Sequence, residues 1–370
     1  MLIKSEIEKL KCNFMEGCAI YRPSGDEGKI AEWVKDYLRQ LKIKSELDEQ
    51  KNLFCKVDGE GEPLLLSAHL DVVPPCDGII PDFKKGIFSS ASDTVLGADD
   101  FAGVITILAA ISHLRSNKIS HRPLEILFTS MEEVGGLGVK KFDFSKISAQ
   151  EGIVPDSITS VGTYITHAPT KYNFSLTFKG LPVHGQFVMK GVSAIQVMAD
   201  LLHALPVGEM SKNTFLNIGT LQGGSALNTV AGNAKAEGYF KIFAEGEIRG
   251  EQKNICEKAI NLIQNKISET QKKHPRATID FDYSLNRPGY VFLREDPLIQ
   301  KLRRAIRETG LDPKEKTSFG VSDANTLNAV GVKSVLIGTG AKNVHTIDES
   351  ISLKDLVKLT ELILNLVRSQ

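Results

Sequence analysis

His69 and Asp71 form the first arrangement in the sequence that could do chemistry. They lie two residues apart in the segment Ser-Ala-His-Leu-Asp, and residues at that spacing in an extended chain point to the same side. A neutral imidazole binds a divalent cation best when its other ring nitrogen donates to a carboxylate, which fixes the tautomer. The pair therefore predicts a metal-binding histidine with an orienting carboxylate; a surface or core histidine beside an unrelated aspartate is the alternative.

Two pairs of adjacent carboxylates follow along the chain. Asp99 and Asp100 stand just before a predicted helix, where they either cap its N-terminus or allow one carboxylate to bridge two cations. Glu132 and Glu133 come directly after an apolar run, and adjacent residues at the end of a strand point in different directions. One glutamate can thus bind a cation while its neighbour acts as a base, the alternative being an exposed acidic loop.

A second histidine and a further acid extend this set. His345 lies in a glycine-rich segment after another apolar run, and Asp156 follows Glu133 in the sequence. Two histidines and several carboxylates, each at the end of its own strand, suit two Zn²⁺ ions bridged by a carboxylate. Co²⁺ and Mn²⁺ accept the same nitrogen and oxygen ligands.

The segments around these residues have the sequence patterns of strands and helices. Together they predict an α/β sheet covered by helices. Short apolar runs bounded by turn residues are typical of buried strands, and they occur at 63–69, 124–130 and 332–338. Helical patterns occur at 101–114, 297–309 and 352–367.

The middle of the chain has a different pattern. Its elements follow the order strand, helix, strand, strand, helix, strand, at 172–178, 193–205, 215–219, 234–243, 251–272 and 277–283. This order indicates a compact α+β unit inserted into the first one. We therefore predict a discontinuous zinc-binding domain, 1–168 and 286–370, and an inserted domain, 169–285.

Composition excludes several classes of protein. The 370 residues carry 45 basic and 45 acidic side chains, so no net charge attracts nucleic acid or an anionic membrane. The longest apolar stretch, around 104–111, is about half the ~20 residues that a membrane-spanning helix needs. The N-terminus lacks a secretory pattern, and the five cysteines are odd in number and scattered. We expect a folded protein of the reducing cytoplasm.

Six motifs in a fixed order carry a family resemblance. They are S-A-H-L-D-V-V-P-P, T-V-L-G-A-D-D, S-M-E-E-V-G-G-L-G, K-G-L-P-V-H-G, G-G-S-A-L-N and G-A-K-N-V-H-T. Over essentially the whole chain they resemble the di-zinc exopeptidases that include peptidase T, carboxypeptidase G and aminoacylase. The segments P-P-C-D-G-I-I-P, L-G-A-D-D and S-D-A-N are most similar to the peptidase T-like branch. The resemblance implies a zinc-exopeptidase-like domain, with a mixed sheet covered by helices, and an inserted α+β domain that serves as a lid and dimerisation surface.

The resemblance also implies a role for each matching residue. The ligands of one zinc would be His69, Asp99 and Asp156. The other zinc would be held by Glu133, His345 and the shared Asp99.

Four further residues receive roles by the same resemblance. Asp71 would orient the histidine ligand, and Glu132 would be the general base. In the inserted domain, His184 would reach the substrate carbonyl and Asn228 would lie near the substrate.

The implied activity is metal-dependent hydrolysis of the terminal bond of short peptides, as in tripeptide aminopeptidases, by a zinc-activated water and a glutamate base. An N-acyl amino acid amidohydrolase or a carboxypeptidase on the same metal centre is an alternative, because the metal ligands see only the scissile carbonyl. A more remote alternative is an inactive homologue that binds peptides. The expected partners are a short peptide and a second copy bound through the lid, with neither nucleic acid nor a membrane.

Some positions depart from the family pattern or carry no predicted role. Phe101 stands where many relatives have lysine, and the strand at 237–243 lacks an arginine that many relatives carry. Lys241 and Arg287 are candidates to supply that positive charge. The histidines expected to be solvent-exposed in helix ends or loops are His113, His121, His203 and His274.

Overall fold

A computed structural model describes residues 2–243 and 248–368, and only the backbone of residues 248–253. The chain divides into two compact units. The first unit comprises Met1–Thr166, Phe292–Ser318 and Ser322–Gln370, and the inserted unit comprises His167–Val291 and Phe319–Val321. The predicted inserted domain, 169–285, falls within the range His167–Val291 of the inserted unit.

Strands and helices alternate through much of the described chain. The strands are β1 Ser45–Leu47, β2 Leu53–Val57, β3 Leu64–His69, β4 Pro81–Lys84, β5 Ile87–Ser90, β6 Leu124–Thr129, β7 Glu151–Ser157, β8 Thr163–Ala168, β9 Thr170–Lys179, β10 Gly208–Ser211, β11 Thr214–Gly223, β12 Asn233–Ile242, β13 Thr278–Arg287, β14 Tyr290–Val291, β15 Lys314–Thr317, β16 Lys333–Gly338 and β17 Ser350–Ser352. The α-helices are α1 Lys4–Cys18, α2 Gly28–Gln40, α3 Ala98–Ser116, α4 Ala194–Ala204, α5 Ile248–Lys273, α6 Pro297–Glu308, α7 Asp323–Ala329 and α8 Leu353–Val367.

The first unit is built on a mixed sheet. Its strands lie in the order β1-β2-β6-β3-β7-β16-β8, and β15 also pairs with β8. The four inner strands β6, β3, β7 and β16 are parallel, whereas the flanking strands run antiparallel to their neighbours. Strands β3 and β6 are buried at every residue, which explains their continuous apolar runs. This sheet and its covering helices confirm the predicted α/β class.

Helix α3 is the buried helix of the first unit. It packs against β3, α1 and α8, and most of its residues are inaccessible to solvent. Phe101, where the family resemblance leads us to expect a lysine, is buried among aromatic rings, with ring centroids 6.0 Å from Phe14 and 5.8 Å from Trp33. Gly17 faces this ring, and a Cβ atom there would collide with Phe101. The departure at Phe101 thus fits an apolar contact between α1, α2 and α3.

The expectation of exposed histidines is wrong for two of them. His113 is buried because α1 packs against α3, and its Nδ1 atom lies 2.8 Å from Glu6 Oε1. His121 is also buried, with its Nδ1 atom 2.8 Å from the carbonyl oxygen of Arg122. The contact of His113 could not be deduced from local sequence, because Glu6 lies 107 positions away along the chain.

The inserted unit has its own sheet and core. Its strands are all antiparallel in the order β10-β11-β12-β9-β13, and α4 and α5 pack against them. Alternate residues of β9, including Phe174, Leu176 and Phe178, enter the core, as the period-two pattern predicts. The predicted order of strands and helices is found here, with the short strands β10 and β14 in addition. In the described part of the chain, no helix has the length and apolar character needed to span a membrane.

Candidate metal centre

The carboxyl ends of the parallel strands bring the predicted residues of the first unit together. His69 is the last residue of β3, and Asp156 is the penultimate residue of β7. Glu132 and Glu133 lie in the loop after β6, and His345 lies in the loop after β16. Since parallel strands end at the same sheet edge, residues far apart in sequence converge there.

Asp99, in the first turn of α3, faces two histidines with its two carboxylate oxygens. Its Oδ1 atom lies 3.4 Å from His69 Nε2, and its Oδ2 atom lies 3.2 Å from His345 Nε2. His69 Nε2 is also 3.6 Å from Asp156 Oδ1, and His345 Nε2 is 2.8 Å from Glu133 Oε1. The site therefore consists of two groups of donor atoms that share Asp99.

These donor atoms fit divalent cations. Two donors bound at about 2.0–2.1 Å to one tetrahedral zinc lie about 3.3–3.4 Å apart. Three of the four distances, 3.2, 3.4 and 3.6 Å, are close to this spacing, while the 2.8 Å contact has the length of a hydrogen bond. Donor atoms of His69, Asp99 and Glu133 all lie within 4.8 Å of one another, as do those of Asp99, Asp100 and Asp156. Imidazole nitrogens mixed with carboxylate oxygens suit zinc, cobalt or manganese.

The protonation of the cluster shows how its charges are balanced. Hydrogen bonds with Asp99 and Glu133 raise the pKa of His345 to about 10. Burial opposes a charge on His69, but hydrogen bonds with three aspartates outweigh it and raise the pKa of His69 well above its usual value. Burial and the charge of Asp99 raise the pKa of Asp156 to about 7. Protons thus occupy ligand atoms that must lose them to bind a cation, so cation binding would release protons.

Asp100 differs from its neighbour Asp99. Burial, together with the charge of Asp156, raises the pKa of Asp100 well above its usual value. Its Oδ1 atom accepts a hydrogen bond of 3.0 Å from the backbone N–H of Gly103. Within the described residues, its buried Oδ2 atom has no hydrogen-bond partner. These surroundings favour a neutral carboxyl group at Asp100.

Asp71 connects His69 to the two glutamates. Its Oδ1 atom accepts a 2.9 Å hydrogen bond from the backbone N–H of Glu132, and Oδ2 accepts one of 3.1 Å from that of Glu133. The Nδ1 atom of His69 lies 3.0 Å from the carbonyl oxygen of Asp71 and 3.4 Å from its carboxylate. The hydroxyl of Ser24 donates to Asp71 Oδ2 at 2.7 Å. Asp71 therefore fixes both an imidazole and the backbone of the Glu132–Glu133 loop.

Sequence reasoning missed four residues that support the site. Ser24 donates to Asp71, and Glu27 Oε1 accepts a 3.0 Å hydrogen bond from the backbone N–H of Met131. Arg22 and Glu349 are fully buried and bind the segment that leads into Asp99. Single residues of these types in loops form no spacing pattern. Only the position of Glu349, four residues after His345, offered a signal.

His184 and Asn228 both lie in the inserted unit. They are exposed, and the backbone N–H of Gly185 donates to the carbonyl oxygen of Asn228 at 2.7 Å, so their loops are adjacent. The Nδ1 atom of His184 accepts a 3.1 Å hydrogen bond from the backbone N–H of Gln186 and begins a short 3-10 helix, Gly185–Lys190. Their substrate-binding roles stay predictions.

The sequence match and the site define the class of protein. Residues 65–369, which make up most of the chain, match the peptidase family M20/M25/M40. The chain therefore belongs to this family, and it is a hydrolase that acts on peptide bonds.

Individual relatives narrow the resemblance to the peptidase T-like branch. Peptidase T of Alkaliphilus oremlandii (strain OhILAs) is 27% identical over 327 residues, which cover 83% of this chain and 74% of the relative. The crystal structure of aminopeptidase PepT from Bacillus cereus ATCC 10987 is 27% identical with a TM-score of 0.85, covering 98% of both chains. That of a tripeptidase from Staphylococcus aureus subsp. aureus Mu50 is 26% identical with a TM-score of 0.89, again covering 98% of both chains.

Proposed function

We propose that this protein is a di-zinc exopeptidase of the tripeptide aminopeptidase type, which releases the N-terminal residue of short peptides. The observation that carries the proposal is the position of Asp99, whose two oxygens face His69 and His345 at 3.4 and 3.2 Å. The similarity to an aminopeptidase and a tripeptidase over 98% of the chain supports this substrate class.

Under this proposal, Asp99 would be a ligand of both zinc ions. His69 and Asp156 would complete the protein ligands of one ion, and Glu133 and His345 those of the other. When bound, the two cations would lower the pKa of a nearby water and polarise the scissile carbonyl. Cobalt or manganese would fill the same ligand set.

Glu132 is the general base in this proposal. The backbone N–H of Glu132 donates to Asp71, and this contact fixes the backbone from which the Glu132 side chain extends. The Glu132 carboxylate takes a proton from the attacking water as the C–O bond forms, and it gives that proton to the amine as the C–N bond breaks. His184 stabilises the carbonyl oxygen of the tetrahedral intermediate, and Asn228 contacts the substrate. Asp71 keeps the His69 ring in one orientation.

We further propose that two copies associate through the inserted unit and act in the cytoplasm. Strand β11 pairs with β10 only from Thr214 to Leu216. Residues 217–223 have no strand partner on that side within the described part of the chain, and an open strand edge can pair with another chain. All five cysteines are free, which suits a reducing compartment.

A peptide panel tests the substrate class. Zinc-reconstituted protein is incubated with di- and tripeptides in free, N-acetylated and C-amidated forms, and the products are identified by mass spectrometry. The expected result is loss of the N-terminal residue from free and C-amidated tripeptides, with no cleavage of the acetylated set. The Glu132→Gln protein serves as the control for contaminating peptidases.

The other outcomes separate the alternatives. Cleavage of the acetylated peptides would move the assignment to an acyl amino acid hydrolase or a carboxypeptidase. Saturable peptide binding without cleavage of any amide would identify an inactive homologue.

A further inference from the structure

Glu349 is a buried carboxylate outside the proposed ligand set. Its side chain accepts three backbone hydrogen bonds from the segment that leads into Asp99. Oε2 accepts from Leu96 at 2.8 Å and from Gly97 at 2.7 Å, and Oε1 accepts from Asp99 at 3.0 Å. Glu349 itself follows His345 by four residues. One side chain thus joins the loop of one proposed ligand to the backbone of another.

The same segment is held from a second direction by Arg22. The Nη2 atom of Arg22 donates to the carbonyl oxygen of Gly97 at 2.7 Å. Its Nη1 atom donates to the carbonyl oxygens of Gly17 and Cys18 at 3.0 and 3.2 Å, where α1 ends. Gly97 therefore has its N–H bound by Glu349 and its C=O bound by Arg22. The segment is anchored to the scaffold, and Glu349 supplies its connection to the His345 loop.

We propose that Glu349 is a positioning residue that sets the distance between Asp99 and His345 and so determines the affinity of the cation that these two residues share. The inference rests on the proposed function, in which Glu133 is the third ligand of that cation. The ligands His69 and Asp156 are carried by strands β3 and β7, so their positions do not depend on the Glu349 contacts. Loss of these contacts should weaken one cation site more than the other.

The chemistry of the contacts requires a carboxylate. An ionised glutamate only accepts hydrogen bonds, and here three N–H groups point at its two oxygens. A glutamine would turn an NH₂ group towards at least one of these donors, leaving a buried N–H without an acceptor. An aspartate keeps both acceptor oxygens but is one methylene shorter. Glu349→Gln should therefore disturb the segment more than Glu349→Asp does.

Zinc titration of the full-length protein tests the proposal. The metal-free protein and its variants are titrated with Zn²⁺ in competition with a chromophoric chelator, which gives two dissociation constants. Glu133→Gln removes a proposed ligand and identifies the binding step that belongs to the Glu133–His345 site. Glu349→Gln is expected to weaken that same step 10–100-fold, as loss of a group that orients a ligand does. The other step also uses Asp99, so it is expected to weaken by a clearly smaller factor. Glu349→Asp is expected to recover part of the affinity and carries the test alone if Glu349→Gln does not fold.

Glu125→Gln is the matched control. Glu125 is also buried, and its Oε2 atom accepts hydrogen bonds of 2.9 Å from the backbone N–H groups of Ser148 and Ala149. It lies near the start of β6, at the opposite end from the glutamate loop, so both zinc constants should stay within twofold.

Three results would count against the proposal. Unchanged zinc constants in Glu349→Gln would overturn it. Equal weakening of both steps, or a similar effect of Glu125→Gln, would show a general structural role and overturn it as well. If the unaltered protein binds fewer than two zinc ions, the proposed function itself fails, which the titration distinguishes from a failure of the inference about Glu349.

Discussion

Asp99 lies in a cluster of ionisable side chains that are all largely shielded from water. The side chain of His69 is 3% exposed, and those of Asp99 and Asp156 are 14% and 9% exposed. Removing charged groups from water costs several kcal/mol per ion, and mutual attraction often fails to offset that cost. Such a cluster is therefore a poor way to stabilise a fold. Bound cations would offset the free-energy cost of removing these charges from water.

The carboxylate of Glu132 is the group whose loss should separate catalysis from metal binding. Glu132→Gln keeps the side-chain shape and the backbone N–H that Asp71 binds, but it removes the base. We expect turnover of a tripeptide to fall by about 10²–10⁴-fold while two zinc ions remain bound. Kinetics and elemental analysis of the same sample measure both quantities. Turnover within tenfold of the unaltered protein would contradict the role of Glu132 as base.

At the scale of elements, the turn before α3 depends on Gly97. Its φ angle is +73°, and a Cβ atom would lie 2.4 Å from Arg22 Nη2. Gly97→Ala should cost about 1–2 kcal/mol for the left-handed backbone and about 1.5–3 kcal/mol for the disturbed arginine hydrogen bond. Urea unfolding of the full chain measures the sum.

Gly310→Ala isolates the contribution of Arg22. Gly310 has a similar φ angle of +77°, but a Cβ atom there would meet nothing within 4 Å. Its substitution should cost only the backbone term of about 1–2 kcal/mol. Equal losses in the two variants would show that Arg22 adapts to the extra methyl group.

Strand β6 carries a charge that should make stability depend on pH. Burial opposes ionisation of Glu125, but Lys56 and the backbone N–H groups of Ser148 and Ala149 outweigh it and lower the pKa of Glu125. Because its pKa is lower in the folded state, this carboxylate stabilises the fold above the pKa of the unfolded chain, about 4.3, and stops doing so as the pH falls through the folded value. Glu125→Gln should cost about 1–3 kcal/mol at pH 7 and progressively less below pH 4. Urea unfolding at pH 7, 5 and 3.5 tests this trend, and a loss that does not depend on pH would contradict it.

At the scale of the whole molecule, the two units have separate cores. The proposed cation ligands all belong to the first unit, whereas the inserted unit has its own cluster of buried apolar residues. A ligand that binds only the folded state stabilises it by about 2.7 kcal/mol at 100 times its Kd. Removal of metal should therefore lower the melting temperature of the first unit and leave that of the inserted unit unchanged. Calorimetry with and without a chelator measures both transitions.

Two comparisons make the calorimetric result specific. Adding back zinc should restore the first transition, and chelator should have little effect on an Asp99→Asn variant. An equal shift of both transitions would mean that the units unfold together or that metal also binds the inserted unit.

Much of this architecture could be predicted because its signals are local. The apolar runs at 64–69 and 124–129 are buried strands, and the period-two run at 170–179 is a half-buried one. The residues that support the site could not be predicted in this way. Arg22 binds Gly97 across 75 positions, and Glu349 binds Leu96 across 253. Such contacts depend on packing and leave no periodic trace.

The sequence by itself determined the fold class and the residue types that could bind cations. Its six motifs, in their order along the chain, also determined the family that the chain resembles. Only the tertiary structure decided that Asp99 faces His69 with one oxygen and His345 with the other. It also decided that Asp71 holds the glutamate loop, and that Phe101 is an apolar core residue. Backbone periodicity follows from neighbouring residues, whereas the direction of a side chain at a strand end depends on the loops and helices packed around it.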